Sequence, residues 1–137
     1  MTEFKLAEAK TLLVDFHLGF RRILRDALVG IGFADISDCK AVEELKKEIT
    51  EHSFDLLLAD IDNDQEDMCA AIQDIRNRRL GQNPFIVIIA LTARHDREAV
   101  AEALRAGADD IIAKPVSAKA LRERVVSQIE NRKKFIA

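Results

Sequence analysis

Four apolar runs of strand length stop abruptly at polar residues. Thr11-Leu12-Leu13-Val14 meets Asp15, and Phe54-Asp55-Leu56-Leu57-Leu58-Ala59 meets Asp60. Phe85-Ile86-Val87-Ile88-Ile89-Ala90-Leu91 meets Thr92-Ala93, and Ile111-Ile112-Ala113 meets Lys114-Pro115. Continuous runs of this kind predict strands buried on both faces. The run from Phe85 to Leu91 is the strongest, being long and β-branched. Ala34 to Asp38 is a shorter, weaker strand candidate.

The intervals carry apolar residues at helical spacing. Phe20, Ile23, Leu24, Ala27, Leu28 and Ile31 predict a first helix that stops at Gly32. Val42, Leu45 and Ile49 mark a second, with Glu43, Glu44, Lys46 and Lys47 on its wet side. Met68, Ile72 and Ile75 mark a third, ending in Arg76, Arg78 and Arg79. That basic cluster reads as a solvated last turn complementing the helix dipole. Glu98 to Ala106 is an Ala-rich fourth helix with a thin inward stripe of Val100, Ala103 and Leu104, closed by Gly107. Ser117 caps a fifth through about Lys133, with Leu121, Val125 and Ile129 facing inward. Gly81 to Pro84 is a loop, and residues 1–9 form a polar leader or a short helical turn.

Strand and helix alternate five times, with connections too long for hairpins. The expected fold is α/β and doubly wound, a (βα)5 parallel sheet with helices on both faces and right-handed crossovers.

The chain has 137 residues, enough for one domain around one core. An apolar share of 48% and a charged share of 33% describe a soluble globular protein. A net charge of -3 gives no electrostatic reason to expect nucleic acid as a partner. No apolar run approaches the ~20 residues that cross a bilayer, so no membrane association is expected. The first residues lack the basic start and apolar core of a secretion signal. Cys39 and Cys69 have neither disulfide-framework nor metal-ligand spacing, and read as reduced, half-buried thiols of a cytoplasmic protein.

Parallel strands point their C-terminal ends the same way, so Asp15, Asp60, Thr92 and Lys114 are expected to converge at one sheet edge. In open α/β sheets that edge is where ligands bind. Two carboxylates, a hydroxyl and an ammonium suit phosphoryl chemistry. Asp60 fits an acyl-phosphate nucleophile, Lys114 a charge on phosphoryl oxygens, and Thr92 a hydrogen-bond donor to one of them. Acids nearby, with Asp62 and Asp64 following Asp60, would hold Mg²⁺. His17, His52 and His95 have no partner in the pattern and read as solvated.

Over about residues 10 to 130 the chain resembles the receiver domain of bacterial two-component response regulators. The resemblance rests on Leu12-Leu13-Val14-Asp15, Phe20-Arg21-Arg22-Ile23-Leu24, Phe54-Asp55-Leu56-Leu57-Leu58-Ala59-Asp60, Ala90-Leu91-Thr92-Ala93 and Ala106-Gly107-Ala108-Asp109-Asp110-Ile111-Ile112-Ala113-Lys114-Pro115, in that order. It implies a flavodoxin-like sheet of order 2-1-3-4-5, with Asp60 as phosphoacceptor, Thr92 as switch hydroxyl and Lys114 as phosphate partner. The expected organisation is a leader at 1–9 and a receiver domain at 10–134, without an output domain.

The chain also departs from the family. Receivers usually carry two acids after the first strand, the second binding Mg²⁺ directly; here the pair is Asp15-Phe16. A phenyl ring cannot ligate a hard cation, so Mg²⁺ binding through Asp15, Asp60 and Asp62 is expected to be impaired and phosphoryl transfer slowed. The Asp62 counterpart gives the metal a backbone carbonyl, and an acidic side chain there is a candidate substitute for the lost ligand. The Phe16 ring is expected to pack over the strand ends, in the metal's space. Asp64 replaces a usual Pro, Met68 a usual Gly, and Ile111 the usual aromatic switch.

The resemblance implies a single-domain receiver in a phosphorelay, phosphorylated at Asp60 by a histidine kinase or phosphotransfer protein, and not an enzyme acting on a small substrate. It would signal through the fourth helix, fifth strand and fifth helix, where Glu98, Glu102, Arg105, Lys119 and Arg122 are candidate contacts, with a homodimer as one admissible state. The alternative is a pseudo-receiver, an interaction module independent of phosphorylation, favoured by Phe16, Asp64 and Ile111. A flavin enzyme of the same topology has less support, because Phe16-His17-Leu18-Gly19 is not a Ser/Thr/Gly-rich phosphate loop.

Overall fold

The computed structural model describes residues 5–94 and 96–136, with side chains described as far as residue 132. His95 and the first four residues of the expected leader lie outside the described residues. A 3-10 turn at Leu6–Glu8 precedes five alternating strands and helices. The strands are β1 (Lys10–Val14), β2 (Asp35–Cys39), β3 (Leu56–Asp60), β4 (Val87–Thr92) and β5 (Asp110–Ala113). The helices are α1 (Leu18–Ile31), α2 (Val42–Glu51), α3 (Gln65–Arg76), α4 (Arg97–Ala106) and α5 (Ala118–Ile136). All four strand pairings are parallel, in the order β2-β1-β3-β4-β5. The doubly wound α/β expectation and its strand order therefore hold.

The period-2 geometry of a strand divides each apolar run between two cores. Leu12, Val14, Leu57, Ala59, Ile88 and Ala90 pack with α2, α3 and Ala103 of α4. Leu13, Leu56, Leu58, Ile89 and Leu91 face the other way, against Leu24 and Leu28 of α1 and Leu121, Val125 and Ile129 of α5. Both faces of the central strands are covered, which is why their sequence is apolar throughout. Gly32 ends α1 at a φ of 130°, a backbone region that favours glycine. The Ser117 side chain accepts from the Ala120 amide at 3.0 Å at the start of α5, as its capping role requires.

Several expectations fail in detail. Phe85 lies before β4 and is 53% exposed, its amide held by the Asn83 side chain at 3.1 Å instead of a ladder partner. Ile23 and Leu104 are exposed, and α4 buries Ala99 and Ala103, so its inward stripe is rotated toward small residues. Cys39 and Cys69 are buried, not half-buried. Burial foremost, with Glu44 next, pushes the Cys39 thiol up to about 12, which leaves it protonated and unreactive.

Arg76 is the largest correction to the solvated-cluster reading. Its guanidinium donates to the Gly107, Pro84 and Ile86 carbonyls at 2.9, 2.8 and 2.6 Å and to Asp109 at 2.8 Å. It ties α3 to the β4 and β5 starts, at the sheet end opposite the candidate site. Gly107, at a φ of 127°, has no room for a side chain there: a Cβ would sit 2.5 Å from Arg76 Cγ. Arg78 and Arg79 are exposed, as expected.

Candidate functional site

Strand direction assembles the site. β1, β3, β4 and β5 all terminate at one edge, with Asp60 in register with Leu91 and Thr92 with Ala113. Asp15 follows β1, and Lys114 follows β5. Three of the four polar groups are buried, Asp15 to 1%, Asp60 to 5% and Thr92 to 3% exposure.

The Lys114 ammonium bridges the two acids. Nζ lies 2.7 Å from Asp15 Oδ2 and 3.2 Å from Asp60 Oδ1. It also sits 4.2 Å from the centroid of the Phe20 ring, a cation-π contact that orients the side chain from below. Burial raises the Asp60 carboxyl above its ordinary range, while the Lys114 charge and the Asp62 amide, 3.3 Å from Oδ1, oppose that push. Asp15 Oδ1 accepts from the His17 amide at 2.9 Å, which closes the β1–α1 loop over the acid. Arg21 pins the same loop, donating to the Asp15 carbonyl at 2.7 Å and to Asp38 at 2.9 Å.

Asp62 is turned toward β4. Oδ1 accepts from the Thr92 hydroxyl at 2.5 Å and Oδ2 from the Ala93 amide at 2.8 Å. Asp64 caps α3 by accepting from the Asp67 amide at 3.3 Å. The Phe16 ring is 54% exposed and meets His17 edge-on, so it does not fill the space over the strand ends as expected.

This donor set fits Mg²⁺ poorly. A hard cation needs free carboxylate oxygens converging on one point. Asp15 spends both oxygens on Lys114 and His17, Asp62 spends both on Thr92 and Ala93, and the ammonium already bridges Asp15 and Asp60. Among the described residues no three His, Cys, Asp or Glu side chains form a metal-holding group.

A groove of about 500 Å³ opens beside Thr92, lined by Arg94, Arg97, Val100, Leu104 and Ile111 among others. Glu98, Glu102, Arg105, Lys119 and Arg122 are all exposed on α4 and α5, and none of them lines that groove; Glu102 accepts from the Gln65 side chain of α3 at 3.3 Å. Sequence reasoning missed Phe20 beneath Lys114, Arg21 on the Asp15 loop and the Asp62–Thr92 contact. Phe20 and Arg21 carried a usable signal, since a first helical turn after β1 must pass close to the β1 terminus. Among the described residues no helix is long and apolar enough to cross a membrane.

Residues 11–126 match the family model described as the response regulator receiver domain. The chain is 31% identical over 117 residues to a probable chemotaxis protein CheY of Rhizobium etli, covering 85% of this chain and 88% of that protein. It is 34% identical over 116 residues to a probable transcriptional regulator ycf27 of Cyanidium caldarium, covering 85% of this chain but only 44% of that protein. Among solved structures, a response regulator receiver domain protein (CheY-like) from Methanospirillum hungatei shares the fold with a TM-score of 0.81 at 23% identity, covering 93% of this chain and 98% of that one.

Proposed function

This chain belongs to the response regulator receiver domain family, and we propose that it is a receiver that accepts a phosphoryl group on Asp60. The observation that carries the reading is the placement of Asp60 at the C-terminal end of β3, buried and within 3.2 Å of the Lys114 ammonium. In the transfer, a carboxylate oxygen of Asp60 attacks the phosphorus of a phosphohistidine in a histidine kinase or phosphotransfer protein. The P–O bond forms, the P–N bond breaks, and the imidazole leaves with a proton from solvent. Lys114 neutralises charge on the phosphoryl oxygens, and Thr92 supplies a hydroxyl donor to them.

The protein is cytoplasmic, its dependence on Mg²⁺ is weak, and it turns over no small substrate beyond its own dephosphorylation. The phosphorylated form signals through α4, β5 and α5, where the exposed side chains of Glu98, Glu102, Arg105, Lys119 and Arg122 face a target protein. A second reading, a pseudo-receiver that binds its target without phosphorylation, is favoured by one observation: Thr92 and Ala93 already hold an anionic carboxylate, that of Asp62.

Intact-mass measurement after acetyl phosphate treatment, with and without Mg²⁺, tests the first reading. One phosphoryl adduct is expected on the wild type and none on Asp60→Asn. Label retained by Asp60→Asn moves the acceptor to Asp62 or Asp64. No adduct on the wild type under any condition leaves the pseudo-receiver reading standing.

A further inference from the structure

The Thr92 hydroxyl has a single hydrogen, and it is committed. Thr92 Oγ1 donates to Asp62 Oδ1 at 2.5 Å and accepts from the Arg94 amide at 3.0 Å. The neighbouring Ala93 amide donates to the other Asp62 oxygen at 2.8 Å. Two consecutive donors at the end of β4 thus grip both oxygens of one carboxylate. That carboxylate is beside the candidate phosphoacceptor, because the Asp62 amide folds back onto Asp60 Oδ1 at 3.3 Å and Thr92 follows Leu91, the register partner of Asp60.

We infer that Asp62 is an internal ligand of the Thr92 switch, occupying in the unmodified protein the donors that phosphoryl oxygens on Asp60 would take. The contact is independent of phosphorylation, whereas its competing effect rests on the reading of Asp60 as phosphoacceptor. Two consequences follow from charge and valence. A phosphoryl group cannot engage Thr92 while Asp62 holds its only hydrogen, and two anions cannot share the Ala93 amide without repulsion. Asp62 must therefore rotate out, which weakens the hold on the phosphoryl group. The end of β4, and the groove that Thr92 lines, also have an anion-bound arrangement before any phosphoryl group arrives.

The test uses the full chain. Amide hydrogen exchange, read residue by residue by NMR without a phosphodonor, reports the contact itself. In Asp62→Ala the Ala93 amide is expected to exchange about tenfold faster, the worth of one charge-assisted hydrogen bond. Asp60→Asn, which keeps an acceptor oxygen for the Asp62 amide, is expected to leave Ala93 unchanged. Beryllofluoride then serves as the phosphoryl probe, with Asp62→Ala expected to bind it about tenfold more tightly than the wild type. Asp62→Asn, closer in shape and neutral, is expected to fall between them and guards against a folding defect in the alanine variant.

An unchanged Ala93 amide overturns the inference. A faster amide with unchanged beryllofluoride affinity overturns the competition. A faster amide in a protein that neither binds beryllofluoride nor labels at Asp60 leaves the internal ligand standing and removes the phosphoacceptor reading.

Discussion

Replacing Lys114 by Met tests the charge balance on which the site depends. Met keeps the length of the stem and its packing on Phe20 but removes the ammonium that lies 2.7 Å from Asp15 and 3.2 Å from Asp60. Two buried carboxylates are then left facing one another. Removing one partner of a buried ion pair costs about 3–5 kcal/mol, and this site lies near the rim, so the low end applies. A loss of about 3 kcal/mol lowers the melting temperature of a domain this size by about 10 °C. The loss also depends on pH. Burial already holds the Asp60 carboxyl above its usual range, and the Lys114 charge is the foremost influence opposing that push. Without it, folded Asp60 keeps its proton well above the ~3.9 of an unfolded aspartate. Between those two values the folded state binds more protons than the unfolded state, so stability falls as pH rises and returns as pH is lowered. Urea denaturation of both proteins at several pH values from 7 down to 5 is expected to show the deficit narrowing on acidification, as a proton takes over the task of the ammonium. A deficit that stays constant with pH, or a Met variant as stable as the wild type at pH 7, refutes the reasoning.

Two further substitutions probe the same sheet. Phe16→Asp adds a carboxylate next to Asp15 at an exposed position, and Mg²⁺ affinity is expected to rise about tenfold or more, with faster labelling by acetyl phosphate; titration that finds the wild type equally tight shows that residue 16 is not what limits the metal. Thr11→Val removes a buried hydroxyl that has no hydrogen-bond partner among the described residues, and is expected to stabilise the fold by about 1 kcal/mol, a rise of a few degrees in melting temperature; destabilisation in a thermal melt would mean that the hydroxyl is satisfied by a buried water.

The first, third and fourth strands were legible because their apolar runs are buried on both faces and stop at polar side chains; the fifth, only partly covered, was legible from its short apolar run ahead of Lys114-Pro115. Direction then did the rest: once the strands are parallel, Asp15, Asp60, Thr92 and Lys114 have nowhere to go but one edge. The failures share a cause. Helical spacing shows that Ile23 and Leu24 are both apolar, but only the way α1 is seated on the sheet decides that Leu24 goes in and Ile23 stays out. Arg76 looks like one of three solvated arginines until the Pro84, Ile86 and Gly107 carbonyls, distant in sequence, are brought around it. Phe85 extends an apolar run, yet its amide is captured by the Asn83 side chain and it never joins the ladder. For Ile23 and Arg76 tertiary packing overrode a local pattern, and for Phe85 a side chain two residues away did. The Asp62 side chain is the same problem at the site: spacing puts it in the loop after β3, and nothing in the sequence says which way it turns.

The two departures at this edge, Phe16 and Asp62, make sense together. Asp15, Asp60 and Asp62 bring three carboxylates into one rim, and one ammonium cannot balance three charges. Lys114 serves two of them. The third is held by oriented dipoles, a hydroxyl and an amide, which need no counter-ion. Residue 16, an exposed phenyl ring, adds no fourth carboxylate to this edge. Each of the three carboxylates is met by donors of the chain itself. The same arithmetic explains why the edge should resist a phosphoryl dianion more than an edge without Asp62 would, since the added charge arrives where the Thr92 hydroxyl and the Ala93 amide are already in use.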